Sequence, residues 1–186
     1  MPTTREIKRR INSVRNINQV TRALEAVSAS AVRKAQNAVL ASRPYAQYAH
    51  QVLVHVAAQS RGVPLHPLLE VRQDVDMICV LLIAGDRGLA GAYNANAVRR
   101  ATSFVERYQR PARWVTVGRK GTDLIRRWIA AQKDSETAAP FLKQQEIVAE
   151  FSHLPADPDV SDVTQIVQVL FDEFLNQGAD EVFVAY

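Results

Sequence analysis

The stretch Thr4–Ser42, TREIKRRINSVRNINQVTRALEAVSASAVRKAQNAVLAS, holds no glycine and no proline, and its reading decides the fold. Ala, Arg, Lys, Gln and Glu, all good helix formers, recur throughout. From Ile17 onward the apolar positions are Ile17, Val20, Leu24, Val27, Ala31, Ala38, Ala41, Tyr45, Tyr48 and Val52, three and four apart with one gap at Lys34. That is a heptad seam, the signature of a helix packed lengthwise on another helix. At 1.5 Å per residue the helix spans about 58 Å to Ser42, and about 85 Å if it continues through Ser60. Pro44 is expected to kink it or to open a second helix at its first turn. No later segment is long enough to cover the seam, so residues 1–60 read as half of a shaft, one strand of an antiparallel coiled coil.

Charge along that helix is one-sided. Arg5, Lys8, Arg9, Arg10, Arg15, Arg22, Arg33 and Lys34 are opposed only by Glu6 and Glu25. Lys8, Arg15 and Arg22 are seven apart on the face opposite the seam. This is a solvated polar face or a positive stripe that meets an acidic partner. The basic helix lacks aromatics interleaved with its arginines, which argues for a protein partner and against nucleic acid.

Gly62-Val63-Pro64-Leu65-His66-Pro67 then reads as a linker, placed at 61–74, and the composition changes character. Asp76–Ala84 is a nearly continuous apolar run, suited to a strand buried on both faces. A glycine-rich turn, Gly85–Gly91, follows, with Asn94 or Asn96 as candidate cap of a helix to Tyr108. Arg113–Val117 reads as a second strand, Gly118–Gly121 as a turn, and Thr122–Ala131 as a helix. Ile147–Phe151 reads as a third strand. Asp159-Val160-Ser161-Asp162 caps a helix to Leu175 that presents Val163, Ile166, Val167, Leu170, Phe171 and Phe174, with Gly178 as its stop. Glu181–Tyr186 is the fourth strand. Alternating strands and helices imply right-handed crossovers and a mostly parallel sheet covered on both faces. The expected fold class is α/β: a long N-terminal helix plus a Rossmann-like three-layer module over 75–186.

The sequence of 186 residues is 47% hydrophobic, enough for a real core, and carries a net charge of +4. No apolar run approaches the roughly 18 residues that span a bilayer. The N-terminus lacks the apolar core of a secretory signal, so a cytoplasmic protein is expected. A single cysteine, Cys79, excludes an internal disulfide and a multi-cysteine metal site, and its apolar setting marks a buried, inert thiol.

Each chemical motif has a plainer reading beside it. Gly85, Gly88 and Gly91 follow a buried strand and precede a helix, a setting in which backbone N–H groups cradle phosphate. The spacing is neither the dinucleotide fingerprint nor a P-loop, and no acidic residue after Gly118-Arg119-Lys120 holds a ribose. A tight turn is favoured, with a nucleotide-binding Rossmann-like protein bearing a basic coiled-coil arm as the alternative. Asp86, Arg87 and Gly88 form a loop at the carboxyl edge of the sheet, read as a local salt bridge or partner contact. The histidines His50, His55, His66 and His153 make no metal-ligand spacing, and no serine has the nucleophile-elbow setting. No catalytic, cofactor or metal residue is expected.

Three stretches together resemble one family. Arg5-Glu6-Ile7-Lys8-Arg9-Arg10-Ile11-Asn12-Ser13-Val14, with Gln19–Leu24, Val27–Ser30, Arg33–Gln36 and Arg43-Pro44-Tyr45, is similar to the N-terminal signature of the gamma subunit of F-type ATP synthases. His66-Pro67-Leu68-Leu69 is the second stretch, and Asp86-Arg87-Gly88-Leu89-Ala90-Gly91-Ala92-Tyr93-Asn94-Ala95-Asn96 the third and most recognisable, with Gly118–Gly121 following in order. The sequence departs from the family at Leu24, Ala26 and Ala31, where methionine, methionine and lysine are common. It departs again at Ala90, for cysteine, and at Ala92-Tyr93, for glycine–phenylalanine.

The resemblance implies a non-catalytic rotor. A long C-terminal helix, absent from this chain, would return along the seam Ile17, Val20, Leu24, Val27, Ala31 and Ala38. The expectation is therefore a fragment or truncated product. The pair would form the central stalk inside the ring of alpha and beta subunits, with Arg9, Arg22, Arg33 and Lys34 facing the ring's acidic loops. The α/β module, with Asp86, Arg87 and Gly88 in its foot loop, would rest on the membrane c-ring and the small epsilon subunit. The complex would lie peripherally on the cytoplasmic face of the bacterial cell membrane and couple proton flow to ATP synthesis. No cofactor is implied.

Overall fold

The computed structural model describes residues 3–59, 66–70, 72–155, 158–176 and 178–186. The chain divides into two units, Met1–Val63 and Pro64–Tyr186. Much of the linker expected at 61–74, including Gly62-Val63-Pro64-Leu65, lies outside the described residues.

The first unit is one helix, α1 (Thr4–Gln59), of 56 residues. Its start is fixed by a reciprocal cap: Glu6 N–H donates to Thr3 Oγ1 at 3.4 Å, and Thr3 N–H donates to Glu6 Oε2 at 2.8 Å. Pro44 neither ends the helix nor opens a second one, since α1 runs through it to Gln59. Proline leaves the Leu40 carbonyl without its helical donor, a loss of about 3 kcal/mol that uninterrupted turns on both sides offset. At 56 residues the helix is about 84 Å long.

The second unit is the α/β module. A 3-10 turn at Pro67–Leu69 leads to β1 (Ile78–Ile83), α2 (Tyr93–Tyr108), β2 (Ala112–Val117), α3 (Arg119–Asp134), α4 (Pro140–Lys143), β3 (Glu146–Phe151), α5 (Val160–Leu175) and β4 (Glu181–Ala185). All four strands are parallel, in the order β3-β2-β1-β4. Val80 pairs with Trp114 on one side and Phe183 on the other. A bulge in β3 skips Val148 between the pairs Trp114–Ile147 and Val115–Ala149.

Two successive crossovers in one direction put α2 and α3 on one face. The return from β3 to β4 places α5 on the other, as right-handed connections require. Alternation along β1 feeds both layers. Ile78, Val80 and Leu82 join Trp114, Val98, Ala101, Val105, Ile125 and Ile129. Cys79 and Leu81 join Val115, Val117, Ile166 and Ala179. Trp114 is wholly buried, stacks edge-on to Trp128 at 5.9 Å and donates its indole N–H to Gln145 Oε1 at 2.8 Å.

Several local expectations change. Neither Asn94 nor Asn96 caps α2; the helix starts at Tyr93 after Ala92, which makes no side-chain cap. α3 begins at Arg119, inside the expected turn, because Gly118 already supplies the bend. α4 is additional. At α5 the expected cap is present as a reciprocal box between Asp159 and Asp162.

Candidate functional site: the carboxyl-edge loop and the helix seam

The loop after β1 lies where the strand order reverses, the usual ligand position of such sheets. Its geometry follows from one carboxylate. Asp86 Oδ1 accepts the N–H of Arg119 and Oδ2 the N–H of His153, each at 2.9 Å. The Arg119 N–H holds the Asp86 carboxyl below its ordinary range, the His153 N–H adds to this, and partial burial opposes both. Asp86 thus ties the end of β1 to the segments following β2 and β3.

Asn94 takes a role other than capping. Its Oδ1 accepts the Gly85 N–H at 2.8 Å and closes the loop from the other end. The Tyr93 hydroxyl donates to the Ile83 carbonyl at 3.3 Å. Between these anchors Arg87, Gly88 and Leu89 project outward, and Leu89 is fully exposed at a backbone φ of 64°.

This arrangement speaks against phosphate. The first amide of α3, the natural anion donor of a helix start, is filled by the protein's own carboxylate. An incoming phosphate would face Asp86 directly. Gly118 serves close packing: at φ 97° a Cβ there would lie 2.1 Å from the Ala84 carbonyl oxygen. Two of the histidines serve local structure: His66 Nδ1 accepts the Leu68 N–H and the His55 ring bonds the Gln51 carbonyl. Among the described residues, no group of three or more His, Cys, Asp or Glu side chains is placed to hold a metal.

The second candidate set lies on α1. Ile17, Leu24 and Val27 are 62%, 52% and 68% exposed, and Val20, Ala31 and Ala38 are exposed with them. Arg9, Arg22, Arg33 and Lys34 are exposed on the same helix. The seam is therefore an uncovered apolar stripe within its unit, since single exposed apolar residues are common but a continuous row is not.

Sequence reading missed a half-buried clasp in the module. Arg72 donates to the Ala179 carbonyl at 2.9 Å, to Asp180 Oδ1 at 3.0 Å and to the Phe174 carbonyl at 2.6 Å, with its guanidinium 4.5 Å over the Phe174 ring. Asp180 Oδ2 accepts the N–H groups of Asp76 and Met77. An aspartate directly before a strand was the one visible signal.

A family model described as ATP synthase matches residues 3–186. The chain is 41% identical over 187 residues to the ATP synthase gamma chain of Dehalococcoides mccartyi strain CBDB1. It is 39% identical over 189 residues to that of Roseiflexus castenholzii, and 33% over 188 residues to that of Coxiella burnetii strain Dugway 5J108-111. Each alignment covers 100% of this chain and 60% of the relative, so the chain spans about three fifths of their length. With the signature stretches in family order and the long helix followed by an α/β module, the chain belongs to the ATP synthase gamma chain family.

Proposed function

We propose that this chain acts as the central-stalk rotor of an ATP synthase, mechanically coupling proton flow to ATP synthesis in neighbouring subunits without catalysing a step itself. The observation that carries this is α1, about 84 Å of continuous helix with an uncovered heptad seam. Residues 1–60 serve as shaft, 61–74 as linker and 75–186 as foot. A second long helix covers Ile17, Val20, Leu24, Val27, Ala31 and Ala38. Arg9, Arg22, Arg33 and Lys34 face acidic loops of the alpha and beta ring, and Asp86, Arg87 and Gly88 shape the foot loop. Epsilon and the c-ring meet the foot. No helix among the described residues is long and apolar enough to cross a membrane, which fits a peripheral position on the cytoplasmic face through the complex.

The physical logic is that of a stiff, asymmetric rod. A packed helical pair resists twisting, and an asymmetric rod offers each surrounding subunit a different contact. It thereby biases that subunit's conformational equilibrium by differential interaction. Exposed charge pairs contribute about 0–1 kcal/mol each, so single removals at Arg33 or Lys34 barely change affinity. The test is Leu24→Asp or Val27→Asp in the full-length protein within the assembled complex. ATP-driven proton pumping should fall while the α/β module stays folded. Normal coupling in both variants would refute the seam assignment. Micromolar binding of ATP or NADP to this chain by calorimetry would support the nucleotide-binding alternative instead.

A further inference from the structure

Helix α1 holds one turn in which three backbone constraints fall together. Pro44 has no N–H, so the Leu40 carbonyl lacks its helical donor, and the proline ring presses on that same carbonyl. Arg43, the residue before it, is helical against the crowding of the proline Cδ, which favours extended backbone there. The Ser42 hydroxyl donates to the Val39 carbonyl at 3.2 Å, an oxygen that a regular helix gives to the Arg43 N–H alone. Thr21 makes the same kind of back-bond, to the Ile17 carbonyl at 2.9 Å, but no proline stands within a turn of it. Pro44 is the one proline inside α1.

The seam changes character at the same turn. Ala31, Ala38 and Ala41 precede it, and Tyr45 and Tyr48, 79% and 70% exposed, follow it. The distance between packed helix axes runs from about 8 to 10 Å with the size of the side chains at the contact. A helix lying on the seam sits close along the alanines and is held off by the tyrosines. The step in separation therefore falls where the hydrogen-bond ladder is thinnest.

We infer that α1 is two stiff arms joined by a bending point at Leu40–Pro44. The arm Thr4–Val39 is about 54 Å long and the arm Tyr45–Gln59 about 22 Å. The ring locks φ of Pro44, so the bend is taken up by the dihedrals of Leu40 to Arg43. In a shaft that carries torque, this is the place where the helix yields while each arm stays rigid. That mechanical meaning, and the step along the seam, rest on the rotor reading; the bending point rests on α1 alone.

The experiment measures nitroxide distances by pulsed electron paramagnetic resonance in the full-length protein within the purified complex. Gln36→Cys with Gln51→Cys straddles Pro44, and Ser13→Cys with Ser28→Cys does not. All four positions are exposed, and each pair is 15 positions apart, about 22 Å along a straight helix. Cys79 is buried and takes no label. The distribution across Pro44 should be at least twice as wide as that of the control pair. Pro44→Ala with Ser42→Ala restores the missing donor in a good helix former, and should narrow it to the control width. Equal widths with Pro44 in place, or a wide distribution that persists in the double alanine variant, overturns the proposal. The distances are read without proton pumping, so failure of the rotor reading leaves the widths as they are, whereas failure of the bending point abolishes their difference.

Discussion

Arg72 and Asp180, 108 positions apart, meet at 3.0 Å and bind the entrance of the α/β module to the start of β4. Burial works against the Asp180 carboxylate, yet the N–H groups of Asp76 and Met77 and the Arg72 guanidinium outweigh it, and its pKa lies below the ordinary range. Removing Arg72 also frees the carbonyls of Phe174 and Ala179. Arg72→Ala should lower module stability by about 2–3 kcal/mol in urea unfolding. Arg72→Lys, which keeps the charge but cannot span three acceptors, should recover under half of that.

The clasp and the Asp86 anchor set the acid limb of stability. Both carboxyls are depressed in the folded state. Their contribution is therefore present above the unfolded pKa, about 3.9, and is lost as pH falls through the lower folded values. Tm should stay flat from pH 7 to about 5 on their account and drop below about 4. In Asp86→Ala this drop should be shallower, and neutral stability lower by about 1–2 kcal/mol. An acid limb unchanged in the double variant Asp86→Ala, Asp180→Asn would contradict the assignment.

Gly118→Ala tests close packing directly. The added Cβ would overlap the Ala84 carbonyl oxygen at 2.1 Å, and φ 97° is hostile to any side chain. A loss of at least about 3 kcal/mol is expected, read as a fall in the urea midpoint. Gly88→Ala, where a Cβ meets nothing within 4 Å, should shift it by less than about 1 kcal/mol.

Cys79 gives a probe of opening. Burial, aided by the Glu173 carboxylate, pushes its thiol up to about 12 against the opposing Arg113 charge. The native protein at pH 8 should leave a maleimide unreacted for hours, and denaturant should expose one equivalent of thiol. Fast native labelling would show that β1 is not a sealed central strand.

The strands were legible because β1 is buried on both faces and so reads as an unbroken apolar run, while α5 announces itself by Asp159 and Asp162. The long helix was legible from composition and heptad spacing. Of the two outcomes open to Pro44, a second helix does not occur, because a penalty confined to one residue does not outweigh forty favourable ones. Asp86 was noticed, but its partners are backbone amides of Arg119 and His153, and an amide carries no residue signature. Spacing alone offers Asn94 or Asn96 as a helix cap, the commonest use of the residue, whereas the Asn94 oxygen reaches back nine positions to Gly85. Arg72 was invisible because its acceptors are 102 to 108 positions away.

The strand order β3-β2-β1-β4 also dictates how the module comes into being. Emerging from the ribosome, β1, β2 and β3 pair with near neighbours as each is made, but one flank of β1 stays bare until about a hundred further residues have been synthesised. The crossover from β3 to β4 is the long-range step, because its loop-closure entropy is met before any pairing rewards it. Before α5 and β4 are in place Leu81 and Cys79 lack their cover, and protection of those amides from hydrogen exchange should follow that of the β1–β2 pairs.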